Sequence, residues 1–121
     1  MTLDNPIDPL FQDDAESGFW FTDLHPDTTG LTSFIVWIAL NPGAKHDVRL
    51  WAHSDPRSLP SERTCLAIRP VRVLNGHMEM NDLNLIRRFV YLNSDTIEKH
   101  WNGETGSADA IDRIRPVTTA A

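Results

Sequence analysis

The sequence contains a single cysteine, Cys65, among its 121 residues. One thiol cannot form an internal disulfide, and it cannot supply the thiolate ligands of a cysteine-based zinc site. The sequence also lacks an apolar run near the roughly 18 residues that a membrane span requires. Its N-terminus lacks the basic and apolar regions of a signal peptide. These absences predict a cytoplasmic protein without a membrane segment.

Lysine and arginine are absent from the first 30 residues, which carry seven acidic side chains. The remaining residues carry ten acids and all 11 bases, so the net charge of −6 arises at the N-terminus. Residues 1–17 are predicted to form a poorly ordered acidic arm. The acidic arm either keeps the protein soluble or docks on a basic surface of the chain itself or of a partner. Residues 18–121 are predicted to form a single α+β domain.

The clearest local signal is a long amphipathic helix between Asn81 and Gly103. Asn81 is predicted to cap its N-terminus, and Gly103 is predicted to end it in a left-handed conformation. Asn93 falls on the apolar stripe, so its amide is expected to be buried and to hydrogen-bond a backbone group of the sheet or of the Gly103 region. His100, at the edge of the stripe, is expected to be a packed residue. The apolar stripe itself contains Leu83, Ile86, Val90, Ile97 and Trp101.

Alternating apolar residues predict an antiparallel sheet that receives this helix. Residues 32–40 are apolar on both faces, which is typical of a central strand. Residues 46–53 alternate as the hairpin partner of that strand. Residues 62–73 predict a third strand, which Pro70 interrupts at an edge or a bulge.

Two further segments complete the predicted fold. The three adjacent aromatic residues at 19–21 predict a short strand or a segment that covers part of the domain. Residues 108–115 predict a short helix after the long one. The fold class is therefore α+β: an antiparallel sheet of about three to four strands, one long amphipathic helix on one face and a short C-terminal helix.

A five-residue loop at 41–45 gives the expected register of the central hairpin. It pairs Ile38 with Val48 and Val36 with Leu50 on the face turned to the helix.

The opposite face of the sheet is predicted to be a binding surface. The same register places Trp37 opposite Arg49 and Ile35 opposite Trp51, so that a guanidinium lies over an indole ring. Residues 19–21, a second subunit or a ligand would cover this face. The predicted binding residues are Ile35, Trp37, Arg49 and Trp51, with Trp20 from the N-terminal aromatics.

Three polar residues of the second strand are candidate catalytic residues. His53, Arg49 and Asp47 share one face of the predicted strand, where imidazole is an acid or base and guanidinium holds a phosphate or carboxylate. The sequence favours the alternative that all three are ordinary surface residues. The five histidines, at 25, 46, 53, 77 and 100, show no metal-ligand spacing, so the sequence predicts no metal site and no cofactor.

Two segments, FIVWI…GAKHDVRLWA and DLNLIRRFVYLNSDTIEKHW, resemble small uncharacterised bacterial proteins. In those proteins, strands with a histidine-containing segment precede an amphipathic helix. His46, Asn93 and Trp101 match, within a resemblance over about residues 32–103. Members are often encoded beside a second small protein, so the resemblance implies a toxin–antitoxin-like role. The family tends to have a second histidine where Val48 stands here, so no role of a histidine pair carries over.

These patterns predict a small interaction or regulatory module that binds a protein partner or itself, as a homodimer or as half of a complex. The alternative is a small hydrolase or nuclease that uses His53, Arg49 and Asp47. A third hypothesis is single-stranded nucleic-acid binding, in which bases stack on Trp37 and Trp51. The net charge of −6 disfavours nucleic acid.

Overall fold

The computed structural model describes residues 20–40 and 47–118, which form an antiparallel sheet with a long helix and a short C-terminal helix. The sheet is a meander in the order β1-β2-β3-β4-β5. The strands are β1 (Trp20–Leu24), β2 (Ile35–Leu40), β3 (Arg49–His53), β4 (Thr64–Ile68) and β5 (Val71–Asn75). The helices are α1 (Pro26–Thr29), α2 (Met80–Trp101) and α3 (Ser107–Arg113), and a short 3-10 turn spans Pro60–Glu62. The predicted α+β class is confirmed.

The sheet has five strands within the described residues, where the sequence predicts three to four. The segment that begins at Trp20 is a full edge strand, because all five of its residues pair with β2. The stretch predicted as one interrupted strand is a hairpin. Ile68 of β4 pairs with Val71 of β5, and Arg69 and Pro70 form the turn between them. Pro70 therefore lies in a turn between two strands, a position that suits a residue without an amide proton.

The register of the central hairpin differs from the predicted one by two residues. The four residues from Ile35 to Ile38 pair with residues of β3 that lie two positions later in the chain than predicted. The reason is that residues 41–48 connect the two strands rather than residues 41–45. Side chains alternate with a period of two, so this shift leaves every side chain on its predicted face. The observed pairs are Ile38–Leu50, Trp37–Trp51, Val36–Ala52 and Ile35–His53.

The helix α2 packs on one face of the sheet. It begins two residues earlier than predicted, because the amide of Leu83 bonds to the carbonyl of Glu79 and closes a first turn there. Asn81 is therefore not the N-cap. Gly103 has a φ of 81° and takes the left-handed conformation that was predicted for it. The buried side chains of α2 are Ile86, Phe89, Val90, Asn93, Ile97, His100 and Trp101.

A hydrogen-bond network joins the end of α2 to β1. His100 is buried, and its Nδ1 donates to the carbonyl of Thr105 over 2.8 Å. Its Nε2 lies 3.0 Å from the hydroxyl of Thr22, which is 2.7 Å from the hydroxyl of Ser107 at the start of α3. Both ring nitrogens have partners within the fold, which confirms that His100 is a packed residue.

Candidate functional site

The centre of the sheet face opposite α2, called here the tryptophan face, is buried, whereas Asp23 and Arg72 at its margins are exposed. Trp37 is 1% exposed and Trp51 is 2% exposed. The guanidinium of Arg63 lies 3.7 Å from the ring centroid of Trp37 and 5.3 Å from that of Phe21. The arginine over Trp37 is therefore Arg63 rather than the predicted Arg49. The tryptophan face carries Phe21, Asp23, Ile35, Trp37, Arg49, Trp51, Cys65 and Arg72.

Arg63 is held over the ring by the loop before β4. Its Nε donates to the hydroxyl of Ser58 over 3.2 Å, and its Nη2 donates to the carbonyl of Ser58 over 2.7 Å. Burial lowers the pKa of Arg63, and the negative charge of Asp23 acts in the opposite direction. A guanidinium that stacks on a buried indole and bonds to the backbone has a structural role. It leaves no part of Trp37 open to a ligand.

The other predicted binding residues of the tryptophan face are also withdrawn from solvent. Ile35 and Arg49 are buried. The side chain of Trp20 lies outside the described part of the structure. A partner or a nucleobase could reach Trp37 and Trp51 only if the parts of the chain that cover them moved.

The three candidate catalytic residues are spread along β3 rather than gathered. Arg49 and His53 are four residues apart on one strand, which corresponds to about 13 Å at the usual rise. The Nδ1 of His53 accepts a hydrogen bond from the amide of Asp55 over 2.9 Å. Asp47, near the other end of β3, accepts two hydrogen bonds from Arg69. The structure does not bring these groups to one point where a substrate could meet all three.

Arg69 joins three separate parts of the fold. Besides Asp47, it contacts Glu98 on α2 over 3.1 Å. The hydrogen bond from Arg69 holds the pKa of Asp47 below its ordinary value. The same carboxylate raises the pKa of Arg69. Because both partners are about half exposed, this is a surface ion pair that fastens the β4–β5 turn, and Asp47 has a structural partner rather than a catalytic one.

A polar cleft of about 430 Å³ lies at the His53 end of the sheet. It is lined by His53 and His77 and by the acids Glu62, Glu79 and Asp82. No lysine or arginine lines it, so its charge suits a cation. Nevertheless, among residues 20–40 and 47–118 no three histidine, cysteine or acidic side chains are placed to hold a metal ion.

A second cavity, of about 520 Å³, lies between α2 and the C-terminal segment and is called here the arginine groove. It has the opposite electrostatic character, because arginines line it and no acidic side chain does. Tyr91 is 86% exposed and Leu92 is 40% exposed, so apolar surface is available between the charges. The lining residues are Arg87, Arg88, Tyr91, Leu92, Arg115, Pro116, Val117 and Thr118.

Asn93 fixes one wall of the arginine groove. Its Nδ2 donates to the carbonyls of Phe89 and Arg115, both over 2.9 Å. The amide of Arg115 donates to its Oδ1 over 2.7 Å. The predictions that Asn93 is buried and that it bonds to backbone are confirmed. Its distant partner is the C-terminal segment rather than the sheet or the Gly103 region.

Two further contacts hold the C-terminal segment in place, one to α1 and one to α2. The amide of Val117 donates to the carbonyl of Thr29 over 2.7 Å. The chain approaches Gly30 so closely there that a Cβ on Gly30 would clash with the carbonyl oxygen of Val117. Gly30 also has a φ of 77°, a conformation that favours glycine. Arg88 donates to the carbonyl of Thr118 over 3.1 Å. The wall of the arginine groove is therefore preorganised.

The positive surface continues beyond the arginine groove along α2. An adjoining cavity shares Tyr91, Leu92 and Arg115 and adds Arg113. The acid at its edge, Asp95, pairs with Lys99 over 3.3 Å. Four arginines therefore surround one exposed aromatic ring in a chain whose net charge is −6.

Sequence reasoning misses this site because it places the arginines on separate elements. Arg87 and Arg88 fall on the polar half of α2, and Arg115 falls at the end of the short helix. One signal was available in the sequence. Tyr91 is an aromatic residue on a polar helix face, one turn after two adjacent arginines.

Comparison of the chain with protein-family models, with curated proteins and with solved structures gave no match. Within the described residues, no helix combines the length and the hydropathy that crossing a membrane demands. The geometry of the arginine groove and of the tryptophan face therefore provides the indications of function.

Proposed function

We propose that the protein is a small interaction module that binds an acidic segment of a partner protein in the arginine groove. The observation that carries this proposal is the exposure of Tyr91 between arginines, in a groove without acidic lining residues. Tyr91 is not an isolated exposed residue, because the partly exposed Leu92 lines the same groove. Apolar surface rimmed by polar side chains is typical of an interaction site. Tyrosine and arginine are also the residues that most often dominate the energy of protein interfaces.

The chemistry of the arginine groove specifies the ligand. Guanidinium groups bind carboxylates through paired, charge-assisted hydrogen bonds. Leu92, Pro116 and Val117 supply an apolar floor for one uncharged side chain. The complementary ligand is therefore a peptide segment with several carboxylates around an apolar anchor. Binding such a segment would make the protein a regulator or an inhibitor of its partner, consistent with the toxin–antitoxin-like role that the sequence resemblance implies.

A protein ligand fits the charge distribution better than a nucleic acid does. The chain carries 17 acids against 11 bases, so a long phosphate backbone would be repelled beyond the arginine groove. The aromatic platform that was predicted to stack bases is buried. A second copy of the chain, with its acidic N-terminus, has the same chemistry as an acidic partner, so self-association is one outcome that the test must separate. The hydrolase or nuclease alternative has less support, because His53, Arg49 and Asp47 do not converge.

The test is a binding titration with short fluorescent peptides, followed by anisotropy. An acidic peptide with a central phenylalanine should bind, and the affinity should fall as salt rises. Replacing its glutamates by glutamine should abolish binding, and replacing phenylalanine by glycine should weaken it. Tighter binding of a single-stranded oligonucleotide than of the acidic peptide would overturn the proposal. Light scattering on the same samples separates peptide binding from self-association.

Two variants and one control locate the binding site. Tyr91→Ala should weaken binding by about tenfold, the effect of losing about 1.4 kcal/mol. Arg87→Glu should weaken it further, because the reversed charge repels the carboxylates. Arg57→Glu makes the same charge change on an exposed residue of the β3–β4 loop and should leave the affinity unchanged. Equal losses in Arg57→Glu and Arg87→Glu would mean that only overall charge matters, and would reject the arginine groove.

A further inference from the structure

The centre of the tryptophan face is buried although the long helix lies on the other side of the sheet. The hydroxyl of Thr22 points to the helix side, where it meets His100 and Ser107. On the opposite side, Trp51 is 2% exposed and Cys65 is 0% exposed. Arg63 covers one corner of this face by stacking on aromatic rings. Some further part of the same chain therefore covers the rest.

The charges of the tryptophan face indicate the composition of the segment that covers it. Arg49, Arg63 and Arg72 lie there, and Asp23 is the only acid among the described strand residues of this face. Arg49 is 5% exposed and has an interaction partner. A guanidinium so deeply buried is stable only when a carboxylate or several hydrogen bonds compensate it. The covering segment should therefore be acidic and partly apolar.

Only one segment outside the described residues has this composition. The acidic arm, residues 1–17, contains five acids, no base and the apolar residues Ile7, Leu10 and Phe11. Residues 41–46 contain Lys45 but no acid, and residues 119–121 contain no charged side chain.

The sheet register places the acidic arm next to the arginines. Trp20, which follows the arm, pairs with Leu40 at one end of β2. Arg49 lies at the same end of the sheet, because Ile38 pairs with its neighbour Leu50. Arg72 extends that row, since Arg49 and Arg72 both pair with Ala67 from its two sides. Trp20, the first described residue after the arm, therefore lies at the end of the sheet that carries Arg49.

We infer that the acidic arm docks on the tryptophan face of its own chain, with carboxylates on Arg49 and Arg72 and apolar side chains over Trp51 and Cys65. The tryptophan face is then an interaction surface whose resident occupant is residues 1–17. A partner of similar chemistry gains access to it only by displacing the arm. This inference does not depend on the arginine groove, which lies on the helix side of the sheet.

The test uses the full chain and the reactivity of Cys65, the single thiol. Docking protects Cys65, so a thiol reagent should modify it slowly in the unaltered protein. Asp13→Asn with Asp14→Asn should speed the modification by about tenfold, the effect of weakening docking by about 1.4 kcal/mol. Leu10→Ser with Phe11→Ser should do the same by removing the apolar contacts.

A matched control changes the same charge elsewhere. Glu104→Gln with Asp112→Asn neutralises two exposed acids outside the arm and should leave the reactivity of Cys65 unchanged. Urea denaturation of each variant separates local release of the arm from global unfolding. Unchanged reactivity in both arm variants would overturn the inference. An equal acceleration in the control variant would do so as well.

A charge exchange tests the partner of the arm directly. Arg72 is exposed, so Arg72→Glu should fold normally while it releases the arm and speeds the modification of Cys65. Adding Asp13→Arg and Asp14→Arg to Arg72→Glu should slow the modification again, because the attraction is restored with opposite signs. Failure of this rescue, or protection that depends on protein concentration, would contradict docking within one chain. Binding of acidic peptides in the arginine groove is measured separately and decides the proposed function by itself.

Discussion

Two sites in this protein place arginine beside an aromatic ring, and their surroundings differ. On the tryptophan face, the guanidinium of Arg63 stacks on the buried ring of Trp37 and bonds to the loop backbone. In the arginine groove, Tyr91 is 86% exposed. The neighbouring Arg87 donates a hydrogen bond to the side-chain oxygen of Asn84. Its one other hydrogen bond among the described residues is a long one to a methionine sulfur. The same residue types stabilise the fold where water is excluded. In the arginine groove they remain accessible to water and therefore to a ligand.

The same truncation should have effects of very different size on stability at the two rings. Trp37→Ala should lower the free energy of unfolding by about 3–5 kcal/mol, because it leaves a cavity in the core. Tyr91→Ala should change it by less than about 0.5 kcal/mol, because an exposed side chain loses few contacts. Urea denaturation followed by circular dichroism measures both.

Similar losses for the two variants would contradict this difference between the sites. If Trp37→Ala does not fold at all, Trp37→Leu gives a milder cavity in which the same order can be measured. The peptide titration supplies the converse comparison, since Tyr91→Ala should lose affinity while it keeps its stability.

Asn93 is a buried residue whose substitution should lower both the stability of the fold and the affinity of the arginine groove for peptide. Asn93→Ala removes the hydrogen bonds to the amide and carbonyl of Arg115 and should lower the unfolding free energy by about 2–3 kcal/mol. It should also weaken peptide binding, because the wall of the arginine groove is no longer held, although Asn93 does not line that groove. Asn84→Ala, on the exposed side of the same helix, should have little effect on stability. Unchanged peptide affinity in Asn93→Ala would show that the C-terminal segment is not part of the binding site.

The helices and strands could be predicted from the sequence where apolar residues recur at a constant spacing. The stripe of α2 and the alternation of β2 and β3 specify burial locally, so the faces were correct even though the register was not. The register depends on the length of the connection. The composition of residues 41–45 matches a five-residue turn, whereas the pairing of β2 with β3 requires a longer connection. Pro70 was ambiguous for a similar reason, since proline is compatible with a bulge and with a turn.

The sites could be predicted less well, because they join residues that are distant in sequence. The sequence indicated that Asn93 needs a backbone partner, but the partner lies 22 residues later in a segment without a period. An arginine over Trp37 was expected, and the arginine that lies there comes from a loop rather than from the paired strand. Contacts of this kind depend on the path of irregular chain, which carries no periodic signal.

The smallest expected effect concerns the pH dependence of an ion pair outside both aromatic sites. The hydrogen bond from Arg69 lowers the pKa of Asp47 from 3.8, so the folded state favours the charged carboxylate. Its contribution to stability is fully present above pH 3.8 and is lost as the pH falls through the lower folded value. Asp47→Asn should therefore lower the urea midpoint slightly at neutral pH and leave it nearly unchanged in strong acid. Asp112→Asn is the control.

The salt dependence of the Asp47→Asn effect distinguishes a surface ion pair from a buried contact. Both charged groups are about half exposed, so water and salt screen their attraction. The difference between Asp47→Asn and the unaltered protein should therefore shrink in high salt, whereas the loss in Trp37→Ala should persist there because it arises from a cavity. A salt-independent effect of Asp47→Asn would mean that the Asp47–Arg69 pair is shielded from water after all. The β4–β5 turn would then be held as the tryptophan face is held, by buried contacts.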